Sequence, residues 1–384
     1  MTDSLFPAPA GRLKIAFVSD WFLPRLGGIE LQMRDLALEL RAEGHEVEVI
    51  AGVDGPADVD GIKVLRLPGP RLPGGGIAVT PRPFQALGEA IGASGYDVIH
   101  AHCGIITPVA HAALHIAARR RLPAVATFHS VLRYYDLPLK LLDRAFGYSR
   151  WPVRYVGVSS VTAEAMRPLT GGRPVAVIPN GIDLDWWRRP AGSARDGAAG
   201  RPVEFVSVMR LEKRKRPRAL VLAFAAALEG LPSQAARLTI VGDGGERAGL
   251  EKLVAARGLA DRIRFAGSRP RPEIRDLLHG SDVFALASRL EAFGIAALEA
   301  RAAGLPVITL KASGARDFLD DGKDALLAED DSQLADALRR LVLDPALRGR
   351  LAAAAAVRPE GVDWTHVGPR YLAEYRAAIA AAGE

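Results

Sequence analysis

The sequence of 384 residues has one cysteine, Cys103, and no apolar run long enough to cross a bilayer. A single cysteine excludes an intrachain disulfide framework and is typical of a reducing compartment. A membrane-spanning helix needs about 20 consecutive apolar residues, which are absent here. The opening segment MTDSLFPAPAGR lacks a basic stretch followed by an apolar core, so no secretory signal is predicted. We therefore expect a cytoplasmic protein.

Two common nucleotide-binding fingerprints are also missing. The segment VGDGGERAG (241–249) follows an apolar run, but it departs from GxGxxG because Arg247 occupies the place of the last glycine. The pair Gly27-Gly28 lies eight residues beyond Ser19, too far from that strand for the dinucleotide fingerprint. No GxxxxGK[ST] motif occurs. These absences argue against a dinucleotide-dependent oxidoreductase and against a phosphate-loop NTPase.

The histidines do not form a convincing metal motif. His100 and His102 are two residues apart, and His111 and His115 have the i, i+4 spacing of one helix face. Neither pair is accompanied by the carboxylates or cysteines that would complete a coordination sphere. We predict no metal site.

Positive charge is in excess, with a net charge of +6 and a sequence pI of about 9.6. Its densest cluster is MRLEKRKRPR (209–218), where six of ten residues are Lys or Arg. Such a cluster is typical of a solvated face, a nucleic-acid surface or a site for phosphorylated ligands. Nucleic acid is disfavoured because no aromatic residues interleave the cations to stack on bases.

Apolar strands alternate with amphipathic helices along both halves of the chain, which predicts parallel sheets covered on both faces. The first half opens with a strand at 13–19 and a helix at 29–43. A Pro/Gly/Ala/Arg-rich stretch at 188–202 reads as a linker. We expect two Rossmann-like domains, residues 1–190 and 191–363, and a terminal helix at 364–384 that crosses back to the first domain. The predicted strands are 13–19, 46–50, 62–67, 96–101, 123–128, 203–208, 238–242, 263–267, 282–287 and 305–309, and the predicted helices of the second half are 216–229, 246–258, 272–279 and 295–303.

Two features in this frame suggest a ligand site. Gly27-Gly28 directly precedes a helix, where backbone N–H groups and the helix dipole favour an anion, although the same pair also makes an ordinary turn. The stretch SRLEAFGIAALEARAAGLPV (288–307) places Glu291 just before a helix and Glu299 inside its apolar pattern. A carboxylate in an apolar wall needs hydrogen-bonding partners.

Taken in order, the motifs resemble the retaining, GT-B-fold glycosyltransferases of family 4, the group 1 glycosyltransferases. The motifs are Gly27-Gly28-Ile29-Glu30, VIPNGID (177–183), MRLEKRKRP (209–217), VGDGGER (241–247) and the E-x7-E spacing of Glu291 and Glu299. The resemblance spans nearly the whole chain. It implies two domains facing each other across a cleft, no cofactor, no metal requirement, and a nucleotide diphosphate sugar as substrate.

The resemblance also implies a role for each matching residue. Glu299 would bind the ribose hydroxyls and Glu291 would lie beside the transferred sugar. Arg210 and Lys215 would neutralise charge on the leaving diphosphate. His129, in TFHS (127–130), matches an active-site histidine near the 6-hydroxyl of the sugar. Further expected contacts are the backbone of Phe293, Gly294 and Ile295, together with Gly27, Gly28, Asn180, Gly242 and, less specifically, Asp20.

Three positions depart from the family pattern. Met209 stands where a glycine is usual, Gly245 where a proline often follows, and Asp317 where a glutamate is more frequent. The predicted reaction is transfer to an acceptor hydroxyl with retained anomeric configuration. A nucleotide-sugar 2-epimerase of the same fold and a non-catalytic nucleotide-sugar-binding protein stay open as alternatives.

The substrates are less closely specified. The segment HAHCGIITPVAHAALHIAA (100–118) resembles relatives that use UDP-N-acetylglucosamine on inositol-type lipids, which favours a UDP-sugar such as UDP-GlcNAc or UDP-glucose over GDP-mannose. The acceptor is a small molecule, a lipid or a glycan, and the loops at 69–84 and 130–150 are expected to bind it. The basic, partly apolar pattern of 130–150 is consistent with peripheral contact with the inner face of a membrane, or with a helix packed on its own domain. Oligomeric state is not predicted.

Overall fold

The computed structural model describes residues 11–25, 27–69, 80–131, 143–144, 147–190 and 201–383. Residues 191–200 of the predicted linker, 70–79 of the first expected acceptor loop, and 132–142 and 145–146 of the second lie outside the described residues. The predicted membrane contact at 130–150 therefore stays a prediction. The chain divides into two compact units at Gly181/Ile182 and again at Glu360/Gly361, and the C-terminal residues belong to the first unit.

Each unit is built on one sheet. In the described residues the first sheet has the order β3-β4-β2-β1-β5-β6-β7-β8 and the second β11-β10-β9-β12-β13-β14. All neighbouring strands are parallel except the β3–β4 pair. The strands are β1 (Lys14–Ser19), β2 (Glu46–Ala51), β3 (Asp58–Val59), β4 (Ile62–Arg66), β5 (Val98–Cys103), β6 (Ala124–Phe128), β7 (Val153–Gly157), β8 (Val175–Val177), β9 (Val203–Val208), β10 (Ala236–Val241), β11 (Ile263–Gly267), β12 (Val283–Ala285), β13 (Val307–Leu310) and β14 (Ala325–Ala328).

Helices connect the strands and cover the sheets. They are α1 (Gly28–Ala42), α2 (Arg82–Ala93), α3 (Pro108–Arg120), α4 (Ser160–Met166), α5 (Leu184–Trp187), α6 (Pro217–Ala227), α7 (Arg247–Ala256), α8 (Arg271–His279), α9 (Ile295–Ala302), α10 (Asp331–Leu343), α11 (Pro345–Ala355) and α12 (Trp364–Ala382). None of the described helices has both the length and the mean hydropathy that a membrane span requires.

The first sheet is covered on both faces. One core joins α1 and α12 to the sheet through side chains such as Phe17, Met33 and Tyr375. The other joins α2 and α3 to the opposite face through side chains such as Leu87 and Leu114. Because both faces are buried, the strands read as continuous apolar runs, as the sequence indicates. The prediction of an α/β chain with two Rossmann-like, parallel-sheet domains is confirmed.

Candidate active site

The second sheet has a topological switch point between β9 and β12. Strand β9 pairs with β10 on one side and β12 on the other, so the connections from β9 and β12 run to opposite sides. Open α/β sheets bind ligands in the crevice that such a switch leaves at the carboxyl ends of the strands. The residues after these two strands include most of the site predicted in the second half: Arg210, Lys215, Glu291, Phe293, Gly294, Ile295 and Glu299.

The structure brings Lys215 and Glu291 together as an ion pair. The Nζ atom of Lys215 donates to Oε2 of Glu291 at 2.7 Å, and the two side chains are only 18% and 13% exposed. Two further contacts hold the loops in place: the Ser288 hydroxyl donates to the Lys215 carbonyl at 3.1 Å, and the Gly314 N–H donates to the Glu291 carbonyl at 2.9 Å. Hydrogen bonds to the backbone carbonyls of both residues thus hold the ion pair in place within the protein itself.

Arg210 lies on the same loop but in a different environment. Its guanidinium is 44% exposed and forms a salt bridge of 3.2 Å with the exposed Glu212. An exposed pair of this kind contributes at most about 1 kcal/mol. Arg210 is therefore easily redirected towards a more highly charged anion, whereas Lys215 is already oriented.

Gly242 supports the Arg210 loop by close backbone approach. Its φ is +128°, and a Cβ built there would lie 1.9 Å from the carbonyl oxygen of Met209. The neighbouring strand is tied to the loop because Leu211 N–H donates to the Asp243 carbonyl at 2.8 Å. The glycine predicted as a ligand contact thus has a structural reason of its own: any side chain would displace the loop that carries Arg210.

Helix α9 presents its N-terminus and a buried acid at the same switch point. Gly294 precedes the helix with φ of +94°, and Phe293 packs on Phe318 with ring centroids 5.0 Å apart. The first N–H groups of a helix have no intrahelical partner and, with the helix dipole, favour an anion. One turn further, Glu299 is 7% exposed. The Glu299 side chain is therefore buried in the protein and does not reach into solvent.

In the first sheet the corresponding switch point lies between β1 and β5. Gly27 and Gly28 occur there, at the start of α1. A Cβ on Gly27 would meet Oε2 of Glu30 at 2.4 Å, and that buried carboxylate is bound by Arg25 at 2.5 Å. Arg25 in turn stacks over Trp21, 3.9 Å from the ring centroid. The glycine leaves room for an internal ion pair, a requirement that exists independently of any ligand.

His129 follows β6 and is half-buried. Its backbone N–H donates to the Cys103 carbonyl at 2.9 Å, and its Nε2 atom lies 3.1 Å from Nδ1 of His102. Burial lowers the pKa of His129 to about 3. The imidazole is therefore neutral at physiological pH and carries one N–H donor rather than a positive charge.

Two predicted cleft positions have mainly structural partners. Asp20 is fully buried and accepts from the N–H groups of Val109 and Ala110, at 3.0 and 3.1 Å, in the first turn of α3. Burial raises the pKa of Asp20 to about 7 against these two bonds. Both carboxylate oxygens of Asp20 thus anchor a helix, and its less specific match to a cleft position stays a prediction. Asn180 is 6% exposed, in a segment fixed at its neighbour because Gln32 donates to the Gly181 carbonyl at 2.9 Å.

The histidine pairs bind protein groups. The two ring nitrogens of His100 bond to Thr127 Oγ1 (2.7 Å) and the Tyr375 hydroxyl (2.8 Å), and His111 Nδ1 bonds to the Thr107 carbonyl at 2.8 Å. Within the described ranges no group of three or more His, Cys, Asp or Glu has the geometry of a metal site.

Sequence reasoning missed several residues that hold this site. Ser288 and His102 gave no signal as supporting residues because each acts through a partner distant in sequence. Arg25 gave none because nothing in its own sequence position marks it as a partner of the nearby Glu30. Glu30 was visible within the GGIE motif, but its buried pairing with Arg25 was not. Taken together, the second unit offers an oriented cation, an exposed arginine, a helix N-terminus and a buried carboxylate. Those groups suit a ligand that combines a polyanion with neighbouring hydroxyls.

Comparison with known proteins gives matches along both halves. Residues 26–186 match the family model described as Glycosyltransferase Family 4, and residues 192–358 match the one described as Glycosyl transferases group 1. The chain is 31% identical over 398 residues to the D-inositol 3-phosphate glycosyltransferase of Frankia alni, covering 93% of this chain and 96% of that protein. The protein of the same name from Kineococcus radiotolerans is 31% identical over 405 residues, with coverages of 92% and 91%.

Solved structures share the fold at low sequence identity. Anabaena HepE in complex with UDP and glucose has a TM-score of 0.75 and 22% identity, covering 94% of this chain and 99% of that chain. Sucrose-phosphate synthase from Thermosynechococcus elongatus has a TM-score of 0.77 and 23% identity, with coverages of 96% and 100%. At these identities the similarity establishes the fold alone.

Proposed function

The chain belongs to the group 1 glycosyltransferases, and on that premise we propose that it moves a sugar from a UDP-sugar to a hydroxyl of an inositol phosphate with retained anomeric configuration. The observation that carries the donor side is the Lys215–Glu291 pair at the β9/β12 switch point, with Glu299 buried on the following helix. The names of the relatives support the acceptor class, and the UDP held by Anabaena HepE makes UDP the first nucleotide to test.

The diphosphate is proposed to bind between Lys215, Arg210 and the N-terminus of α9. Lys215 is already oriented, and Arg210 leaves only an exposed salt bridge to reach a phosphate. Fixed cations and backbone dipoles stabilise the charge that develops on a leaving diphosphate without reorganising during the reaction. This set of donors is the reason we propose transfer without a metal ion.

The ribose is proposed to bind Glu299. Its side chain is 7% exposed, and the two oxygens of a carboxylate can accept hydrogen bonds from two adjacent hydroxyls. The same arrangement explains why an acid occupies an otherwise apolar helix.

We propose that the anomeric configuration is retained because the diphosphate leaves from the same face of the sugar that the acceptor hydroxyl attacks. Glu291 is committed to Lys215, so it is a poor candidate for a covalent nucleophile. The bond from the anomeric carbon to the diphosphate oxygen breaks and a bond to the acceptor oxygen forms. The proton of the acceptor hydroxyl passes to a phosphate oxygen of the leaving group, which balances the step.

The first experiment compares thermal stabilisation by UDP, GDP, ADP and TDP. A nucleotide at a hundredfold excess over its Kd adds about 2.7 kcal/mol to the folded state. We expect UDP to stabilise the wild type, Glu299→Ala to abolish most of that gain, and Glu299→Gln to keep part of it. Glu251→Ala is the matched control, since Glu251 is an exposed helical acid paired with Arg247 at 2.9 Å. Equal stabilisation of wild type and Glu299→Ala would refute the assigned role of Glu299.

In the second experiment the protein is given UDP-GlcNAc with and without D-inositol 3-phosphate. The released UDP and the sugar-containing products are both measured. Release of UDP that depends on the acceptor supports transfer. A donor of unchanged mass and altered stereochemistry, formed without acceptor, identifies a 2-epimerase. Binding of UDP with no turnover of any of the three UDP-sugars UDP-GlcNAc, UDP-glucose and UDP-galactose identifies a binding protein.

A further inference from the structure

A chain of contacts runs from His129 through two deeply buried histidines to the C-terminal helix α12. The Nε2 atom of His129 lies 3.1 Å from Nδ1 of His102. The ring of His102 packs on that of His100 with centroids 4.0 Å apart, and His100 bonds to Thr127 and Tyr375. His102 and His100 are 1% and 0% exposed, so solvent does not satisfy their ring nitrogens.

The network assigns the proton of His100. The Thr127 hydroxyl donates to the Tyr371 hydroxyl at 3.5 Å, so Thr127 Oγ1 accepts from His100 Nε2–H. Nδ1 of His100 is then the acceptor for the Tyr375 hydroxyl. His100 is fully used by these two bonds and offers His102 only ring contact.

The single hydrogen bond of His102 assigns its proton too. Its Nε2 atom is buried and has no hydrogen-bond partner in the described part of the chain. A buried N–H without a partner is rarer in folded proteins than a buried acceptor without one. The proton of His102 therefore lies on Nδ1, where it is donated to Nε2 of His129. His129 must then carry its own proton on Nδ1.

This assignment limits what His129 can do. Burial lowers the pKa values of both His129 and His102, so both rings are neutral at physiological pH. Nε2 of His129 is occupied as an acceptor, which leaves Nδ1–H as the polar atom of the ring that has no assigned partner among the described residues. His129 can donate a hydrogen bond but cannot accept a proton at that atom.

We propose that His102 is a positioning residue that fixes His129 in the Nδ1–H tautomer, so that His129 can donate a hydrogen bond at Nδ1 and cannot act as a general base at that atom. The inference rests on the proposed function for the identity of the ligand. The tautomer itself is independent of that function.

The tautomer is measured first, in the ligand-free wild type labelled with 15N in the histidine rings. Two-dimensional spectra that correlate ring nitrogens with carbon-bound ring protons distinguish the two neutral tautomers, and His129→Gln assigns the resonances. We expect His129 as Nδ1–H and His102 as Nδ1–H. Observation of His129 as Nε2–H overturns the proposal whatever the enzyme turns over.

Variants of His102 then test its role. His102→Leu removes the donor, whereas His102→Asn places an amide N–H where Nδ1 lies. Loss of one hydrogen bond corresponds to about a tenfold effect, so we expect kcat of His102→Leu to fall at least about tenfold and that of His102→Asn to recover most of the loss. Stabilisation by UDP should be unchanged in both, because its proposed ligands lie in the second unit. His115→Leu is the control, since His115 also has a buried ring nitrogen with no partner among the described residues and packs on Trp151 at 5.3 Å.

Each result has a defined meaning. A mixed or Nε2–H tautomer of His129 in His102→Leu, together with rescue by asparagine, supports the proposal. An unchanged tautomer in His102→Leu, or equal loss of kcat in the two variants, overturns it and leaves His102 a purely structural residue. If the wild type neither binds UDP nor turns over, the proposed function fails, while the spectra still decide the tautomer.

Discussion

Mild acid should loosen the first unit through its buried histidines. The pKa of His129 is about 3 in the folded chain and 6.5 in its ordinary range. The unfolded state therefore binds a proton below pH 6.5 that the folded state does not bind, so stability is complete above that pH and falls as the pH decreases towards 3. At pH 5 the difference is about 1.5 pKa units, or about 2 kcal/mol from this one side chain.

The effect is larger for the whole network, because burial also lowers the pKa values of His100 and His102 well below the usual range. Each such histidine adds a slope of about 1.4 kcal/mol per pH unit while it is protonated only in the unfolded state. The free energy of opening around β5 and β6 should therefore fall steeply between pH 6.5 and pH 5.

Amide hydrogen exchange resolved by peptide is the suitable assay, since it reports the opening of β5 and β6 separately from the rest of the chain. His129→Gln removes one titrating group. At pH 8 the histidine is neutral in both the folded and the unfolded state. The difference in opening free energy between wild type and variant at that pH therefore gives the packing cost alone, and it is the control for the measurement at pH 5. At pH 5 the amount by which the opening free energy of the variant falls below that of the wild type should be smaller by about 2 kcal/mol. An identical deficit at both pH values would refute the argument that burial holds His129 neutral.

The remaining predictions concern the second unit. Gly242→Ala should lower the free energy of unfolding by about 2–4 kcal/mol and weaken UDP binding, because its Cβ would lie 1.9 Å from the Met209 carbonyl; Gly245→Ala, with no atom within 4 Å of its Cβ, should change urea midpoints little. Lys215→Met should cost about 1–3 kcal/mol by leaving Glu291 without its cation, and adding Glu291→Gln should recover part of that loss in a double-mutant cycle; strict additivity would contradict the pairing. Chelation with EDTA should leave turnover of the UDP-sugar unchanged, and restoration of lost activity by Mg²⁺ or Mn²⁺ would disprove metal-free transfer.

The elements that the sequence predicts well are those with long apolar patterns. The helix predicted at 29–43 forms as Gly28–Ala42, and the strand predicted at 203–208 forms as Val203–Val208. Strands β3, β7, β8 and β14 were not predicted. Strands β8 and β14 have only three and four residues, and such short runs become strands only because a neighbouring edge is available for pairing.

The candidate site shows the same difference between local patterns, which the sequence predicts, and long-range contacts, which it does not. The spacing of Glu291 and Glu299 is local, so the sequence shows it directly. The partner of Glu291 is 76 residues away and appears only when β9 and β12 become neighbours. Asp20 shows the same limit: the resemblance matches it to a cleft position, but the sequence does not reveal that its oxygens bond to α3, 89 and 90 residues later. A strand-end position identifies the edge of the sheet, not the group that the side chain will contact.

The glycines show why a motif can be correct while its usual explanation is incomplete. Gly27 and Gly242 are each expected where a ligand approaches backbone, yet each already has an internal reason to lack a side chain: the Glu30 carboxylate in one case and the Met209 carbonyl in the other. Those internal contacts shape the loops that carry Arg25 and Arg210. A substitution at Gly242 therefore acts on binding through the position of Arg210, so its effect should appear as lost affinity for charged ligands together with lost stability, whereas one at Gly27 acts on the internal pair of Glu30 and Arg25. If a glycine only made room for substrate, its substitution would lower the affinity for that substrate and leave the free energy of unfolding unchanged.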